Sequence, residues 1–237
     1  MDTFPWERRG ELGVFRAFAD NLVLSVRAPT RFFGLAPRDG SYWPAVLYGF
    51  VFELVVALAT FAYAKLFGEA ELRGTLAPYY PQLEEMLPGG PAQLETFLRA
   101  STAVSLIATP FTYVLELHVV ALVTWVGLRL AGGLRTSFGH IVRLVAYAGW
   151  VRVFGLLGVS GDVVLSLLSG LLSLGFASYV WVALVRASQG FDMKKAVIAS
   201  LYGTLVGFLV GCVVVVPPTV LFALWLASKL VDGVVTP

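Results

Sequence analysis

Glu53, Glu116, His118 and Arg152 each lie deep inside a long run of apolar residues. A charge taken into hydrocarbon loses its hydration, so it must be paired, neutralised or wetted. Ionisable groups in such runs therefore mark functional sites or ties between helices. Two chemistries are open to these four, beside a reading in which one or more of the carboxyls is simply held neutral. Paired with Glu53 or Glu116, Arg152 locks one helix to another. Lining a shared polar path, the same groups would relay protons or ions. Glu116 and His118 are two residues apart, roughly opposite on a helix, and so do not form one site together.

The elements that must position these groups are membrane spans. The chain has 237 residues, 58% of them hydrophobic and 14% charged, with a mean hydropathy of +0.81. Soluble domains are about half apolar and about a quarter charged, so this composition is that of a membrane protein. The single cysteine, Cys212, excludes an intrachain disulfide or a multi-cysteine metal site. The opening MDTFPWERRG has no apolar core, and no cleavable signal peptide is expected there.

The pattern predicts an all-α polytopic membrane protein, a five-helix transmembrane bundle preceded by an interfacial amphipathic helix. Residues 1–40 form a basic segment with Arg8, Arg9, Arg16, Arg27, Arg31 and Arg38. Within it Leu12, Phe15, Phe18, Ala19, Leu22 and Val26 recur at helical spacing, beside Arg16, Asp20 and Arg27. That predicts a helix over 12–28 lying in the membrane surface, its arginines toward anionic headgroups, with Pro29 ending it; the alternative is a helix packed on the protein's own cytosolic loops. Spans are expected at about 42–67, 103–131, 139–159, 163–185 and 197–226, within a membrane domain over 41–230. Each is long enough for a hydrocarbon core of ~30 Å. Residues 68–102, acidic and rich in proline, form an outer loop whose two segments of helical spacing are expected on the outer surface. Pro110 either kinks the second span or marks its start. Pro217-Pro218 interrupts the fifth, and the residues after that pair continue a kinked helix or lie at the surface.

Five spans put the termini on opposite sides. The basic segments, residues 1–40, Arg129 with Arg135, and Arg186 with Lys194 and Lys195, then share one face, while the outer loops carry Glu or Asp162. The positive-inside rule places the N-terminus in the cytoplasm and the C-terminus outside a cytoplasmic membrane. Arg16, Arg27, Arg31, Arg135 and Arg143 are expected at the membrane surface, Arg143 by snorkelling.

Ala199, Gly203, Gly207 and Gly211 recur every four residues, a ladder of small side chains that lets another backbone approach closely. Its partner is a helix of the same chain or a second copy in a homo-oligomer. Catalysis finds no support. The sequence lacks HExxH, G-x-S-x-G and Walker patterns, and Asp162 after Gly158-Val-Ser-Gly161 has no second intramembrane Asp to work with. Catalytic, cofactor-binding and metal-ligating residues are expected to be none. Scattered basic residues without a nucleic-acid module exclude DNA or RNA as a partner, leaving the lipid bilayer and a protein at the cytoplasmic face.

Several stretches together resemble the Yip family, five-span membrane proteins named for interaction with Ypt/Rab GTPases, in its bacterial branch. They are Pro29-Thr-Arg31-Phe32-Phe33 before the first span, His118 in the second, Gly132-Gly133, Phe138, and Arg143-Leu-Val-Ala-Tyr147 opening the third. Tyr179-Val-Trp181 and Asp192-Met-Lys194-Lys195-Ala196 complete the set. The resemblance covers roughly residues 12–216. It departs where the family has a proline late in the third span and this chain has Gly155, Gly158 and Gly161, and in the long acidic first outer loop. The resemblance implies a non-enzymatic integral membrane protein, an adaptor or membrane organiser. GTPase binding is not carried over, because the N-terminal segment does not resemble that of the eukaryotic relatives. A small transporter or channel using the four buried groups is the competing expectation.

Overall fold

The computed structural model describes residues 4–67, 90–132, 136–160 and 162–210, with helix backbone alone at 90–102 and 207–210. Every regular element among them is a helix. Four helices are long and apolar enough to cross a membrane: Trp43–Leu66, Ala103–Leu130, Phe138–Gly158 and Val163–Gln189. The chain is thus a multi-pass membrane protein. The expected fifth span begins as the helix Met193–Val210, and its remainder, with Gly211 and the Pro217-Pro218 pair, lies outside the described residues.

Local chemistry sets where the spans begin and end. Ser137 caps the third, its hydroxyl accepting from the His140 amide at 3.3 Å. The Asp162 carboxylate caps the fourth by accepting from the Leu165 amide at 2.9 Å, and Gly190 closes that helix at φ 66°. Asp192 then accepts from the Lys195 amide at 2.8 Å to start the last helix. These are ordinary solutions to unpaired terminal amides and carbonyls.

The second span departs from its expected limits. Its helix runs unbroken over Gly90–Leu130 with Pro110 inside it. Residues 90–102, expected as part of a separate outer loop, continue the helix of the second span, and Pro110 is not a helix start. The rest of that loop, 68–89, lies outside the described residues.

The third span is two helices in series. Phe138–Tyr147 is α-helical and Ala148–Gly158 is a 3-10 helix of 11 residues, far longer than the usual 3-10 run of about three or four. A 3-10 helix repeats every three residues, so Gly149, Arg152, Gly155 and Gly158 share one side. Gly149 lies against Gly49 of the first span, close enough that an added Cβ would meet the Gly49 Cα at 3.1 Å. A Cβ on Gly155 would meet Val56 at 3.4 Å, and one on Gly158 would meet Ser169 of the fourth span at 3.6 Å. Ser169 also donates to the Phe154 carbonyl at 2.7 Å. Trp150, Phe154 and Phe176 fill the seam between the third and fourth spans, with Phe154 and Phe176 stacked at 4.9 Å.

The N-terminal segment is part of the packed body. Short helices Pro5–Arg8 and Arg9–Leu12 lead to Gly13 at φ 81°, then to the helices Val14–Arg27 and Pro29–Leu35. The Gly13 turn starts the amphipathic helix at Val14 rather than at Leu12. Phe4 sits 4.8 Å from Phe32 and 4.4 Å from Tyr147. The Trp6 indole N–H donates to the Pro44 carbonyl at 2.6 Å, and the Tyr147 hydroxyl donates to Glu7 at 2.8 Å. Phe32 and Phe33 are buried, so the Arg31-Phe32-Phe33 stretch does not lie on the surface as a whole.

By contact the chain forms two compact units, Met1–Ala57 with Thr109–Gly207, and Leu58–Ala108 with Phe208–Pro237. Within the second, Lys65 sits over the Phe61 ring at 5.7 Å and Tyr63 packs on Phe67 at 5.1 Å. Glu53, Glu116, His118, Arg143 and Arg152 all belong to the first.

With apolar lipid on all sides, helix association rests on van der Waals fit, and glycine contacts carry much of it. A Cβ on Gly49 would fall on the Tyr113 hydroxyl and the Ala146 carbonyl. Gly49→Ala is therefore expected to cost about 1–3 kcal/mol, read as an earlier unfolding midpoint in detergent. Gly170→Ala, where a Cβ meets nothing within 4 Å, should leave the midpoint unchanged. Equal shifts in the two variants would show that this crossing is not a tight point.

Candidate functional site

Arg152 sits in the 3-10 row between Gly149 and Gly155, which lets the backbone of the third span approach the first. Its guanidinium is divided between two helices. One terminal nitrogen donates to Glu53 of the first span at 2.5 Å and the other to Glu116 of the second at 2.6 Å. Both are short charge-assisted hydrogen bonds. The guanidinium carbon lies 5.5 Å from the Tyr113 ring centroid, a cation–π contact. The side chains of Arg152 and Glu53 are 27% and 24% exposed, whereas that of Glu116 is 52% exposed. One side of the triad is packed and the other is open.

His118 stands apart. Its Nδ1 lies 2.8 Å from the Val114 carbonyl, which assigns the proton to that nitrogen, and its Nε2 faces the Tyr42 hydroxyl at 3.5 Å. Its ring neighbours are Tyr42 and Phe138, at the starts of the first and third spans. The four residues expected on one path thus separate into a triad and an isolated histidine.

Arg143 is a correction. Expected to snorkel to the headgroups, it is 2% exposed. Its guanidinium donates to the carbonyls of Pro37, Gly40 and Ser41, the last two at 2.8 and 2.7 Å. His140 Nδ1 adds a contact to the Pro37 carbonyl at 3.0 Å. The tight connection into the first span leaves its carbonyls without helical partners. The guanidinium fork meets three of them from one side chain. The triplet Pro37, Gly40 and Ser41 was not visible as a target because it lies about a hundred residues away in sequence.

Among the other expected surface arginines, Arg16 is exposed beside Asp20, 3.8 Å away, and Arg27 and Arg31 are exposed. Arg135 lies outside the described residues. On the glycine ladder, Ala199 is 2% exposed and Gly203 meets Gly127 of the second span. A Cβ on Gly127 would come within 2.6 Å of the Gly203 Cα. The partner at that rung is a helix of the same chain. Gly207 is described by its backbone alone, and Gly211 lies outside the described residues.

Two features escaped sequence reasoning although a signal for each was present. Tyr113, 2% exposed, sits three residues before Glu116, one helical turn, so its place beside the triad was readable. The Phe4-Pro5-Trp6 cluster in a polar segment could have announced that the N-terminus docks.

Removing Arg152 leaves two carboxylates facing each other. Arg152→Leu is expected to cost about 3–5 kcal/mol, seen in the unfolding midpoint in detergent. Glu116→Gln should cost less, because the half-exposed partner leaves and Arg152–Glu53 survives. An Arg152→Leu protein that unfolds like the wild type would rule out the triad as a tie.

No curated protein and no solved structure matches this chain. A family model described as the Yip1 domain matches residues 23–215. That stretch contains the triad, the Arg143 cluster and all four helices long enough to span. It begins within the helix Val14–Arg27 and ends just past the last described helix, and on that match this chain belongs to the Yip1-domain family.

Proposed function

We propose that the protein is a non-enzymatic adaptor or membrane-organising protein of the cytoplasmic membrane, with its N-terminal side in the cytoplasm. Its working surface is the outer side of the helix Val14–Arg27. The observation that carries this reading is the way the helix divides into three faces. Ala17, Asn21 and Ser25 are buried, and Phe18 packs on Tyr48 and Phe52 at 5.0 and 5.1 Å. Phe15 is 92% exposed, with Val23 and Val26 exposed on the same side. Arg16, Asp20 and Arg27 make the third face.

A docked helix with an outward apolar strip edged by arginines suits the interface of an anionic bilayer. The expected membrane stripe is narrower than the spacing implied, because Phe18 turns to the core while Phe15, Ala19 and Val26 remain outside. Docking matters to the function, since it ties whatever the helix does at the surface to the spans. The transporter reading draws less support. Glu53, Glu116 and Arg152 close into direct contacts, and His118 lies elsewhere.

The test uses full-length protein in liposomes containing anionic lipid. Spin labels at positions 15 and 26, with Cys212 replaced by Ser, should respond to a membrane-phase quencher, and a label at position 20 to an aqueous one. Phe15→Asp with Val26→Asp should leave the fold intact and abolish any change in vesicle size or shape that the wild type produces. Labels at 15 and 26 that see only the aqueous quencher would refute the surface role.

A further inference from the structure

The triad of Arg152, Glu53 and Glu116 is one positive charge short. Fully ionised, one guanidinium and two carboxylates sum to −1, and neither Glu53 nor Glu116 pairs with another cation among the described residues. The chain offers little else. Arg129 and Arg186 lie in the last turns of their helices, Arg143 is committed to the Pro37, Gly40 and Ser41 carbonyls, and the expected fifth span, 197–226, has no Lys or Arg. The deficit is also placed asymmetrically. Glu116 is the half-exposed member, and its helix turns outward Phe111, Leu115, Val119 and Leu122, all 42–77% exposed. In a membrane span such a face meets lipid, where an ionised carboxylate with half a counter-charge is costly.

We propose that the Glu116 side of the second span is a docking face for a transmembrane helix of another protein that carries an arginine or lysine at matching depth. The chemistry is complementary in both respects: an apolar helix fits the apolar face, and its one cation supplies the missing charge. A second copy of this chain fits poorly, because it would bring the same negative excess to the contact. The inference is independent of the surface role of the helix Val14–Arg27, which uses different residues.

The experiment co-reconstitutes the labelled full-length protein with a synthetic Leu/Ala transmembrane helix bearing one central Arg and reads association by energy transfer. The Arg helix is expected to associate about tenfold more tightly than an all-Leu/Ala control, and Glu116→Gln should remove the difference. Moving the Arg to the end of the peptide should remove it as well, which keeps the test valid even if the Glu116→Gln protein folds badly. Equal association of the Arg and control helices overturns the proposal. So does an infrared spectrum showing a protonated triad carboxyl that persists with the Arg helix bound, since a proton would then be the occupant. Strong self-association that Glu116→Gln abolishes would also overturn it, by making a second copy the partner.

Discussion

Arg152 can touch carboxylates on two other helices because its neighbours on the row that faces the first span, Gly149 and Gly155, carry no side chains. Gly149 meets Gly49 where neither has room for a Cβ, and Gly155 meets Val56 at the limit of contact. With larger residues there, the third span would stand off and the guanidinium would fall short of Glu53. The 3-10 stretch completes the arrangement by bringing both glycines and Arg152 onto one side. An α-helix would spread them over a wide arc. The polar tie and the glycine crossing are therefore one device. Lipid supplies neither water to satisfy charge nor a hydrophobic force to hold helices together, so close backbone fit must do the second task before the charges can do the first.

The same constraint appears at the other end of the third span with different chemistry. Arg143 satisfies three carbonyls of a connection that cannot itself be helical, and His140 shares one of them. The outcome is a fixed entry into the first span, onto which the N-terminal segment closes through Trp6 and Pro44. Tyr147 links that segment back to the third span through Glu7. Phe4, Phe32, Tyr48 and Tyr147 form one aromatic group around this junction. Buried aromatic pairs of this kind each add about 0.5–1.5 kcal/mol beyond area alone. The surface helix is thus fastened at several points, and its orientation is set by the spans.

Much of this was legible in the sequence. The apolar runs announced four helices long enough to cross a membrane, since hydrocarbon thickness is a strong ruler, although the helix of the second begins well before its apolar run, at Gly90. The deep residues Glu53, Glu116 and Arg152 stood out because hydrocarbon makes them conspicuous. The features that stayed hidden depend on pairing across the sequence. Whether Ala148–Gly158 winds as α or 3-10 is not encoded in its hydropathy, although the three-residue spacing of Gly149, Arg152, Gly155 and Gly158 was a usable trace. Arg143 looked like a surface arginine because its distance from the span end was right. Only the fold brings the carbonyls of residues 37–41 against it. His118 shared only its depth with the other three groups, and depth in the span says nothing about which neighbour a ring faces; Tyr42 and Phe138 are its ring neighbours.

The division of polar chemistry within the structure is informative in its own right. Arg143 is enclosed and satisfied by carbonyls that need no charge balance, so it can be buried entirely. Arg152 is enclosed on one side only, and the carboxylate it leaves half covered is on the outward edge of its helix. Two similar side chains in one span therefore end in opposite states, one sealed and one open. A structural tie to the second span does not need a second charge, because Arg152 with Glu53 alone is already neutral and a neutral acceptor at 116 would still receive the other guanidinium N–H. The excess carboxylate is the feature that structural economy does not account for.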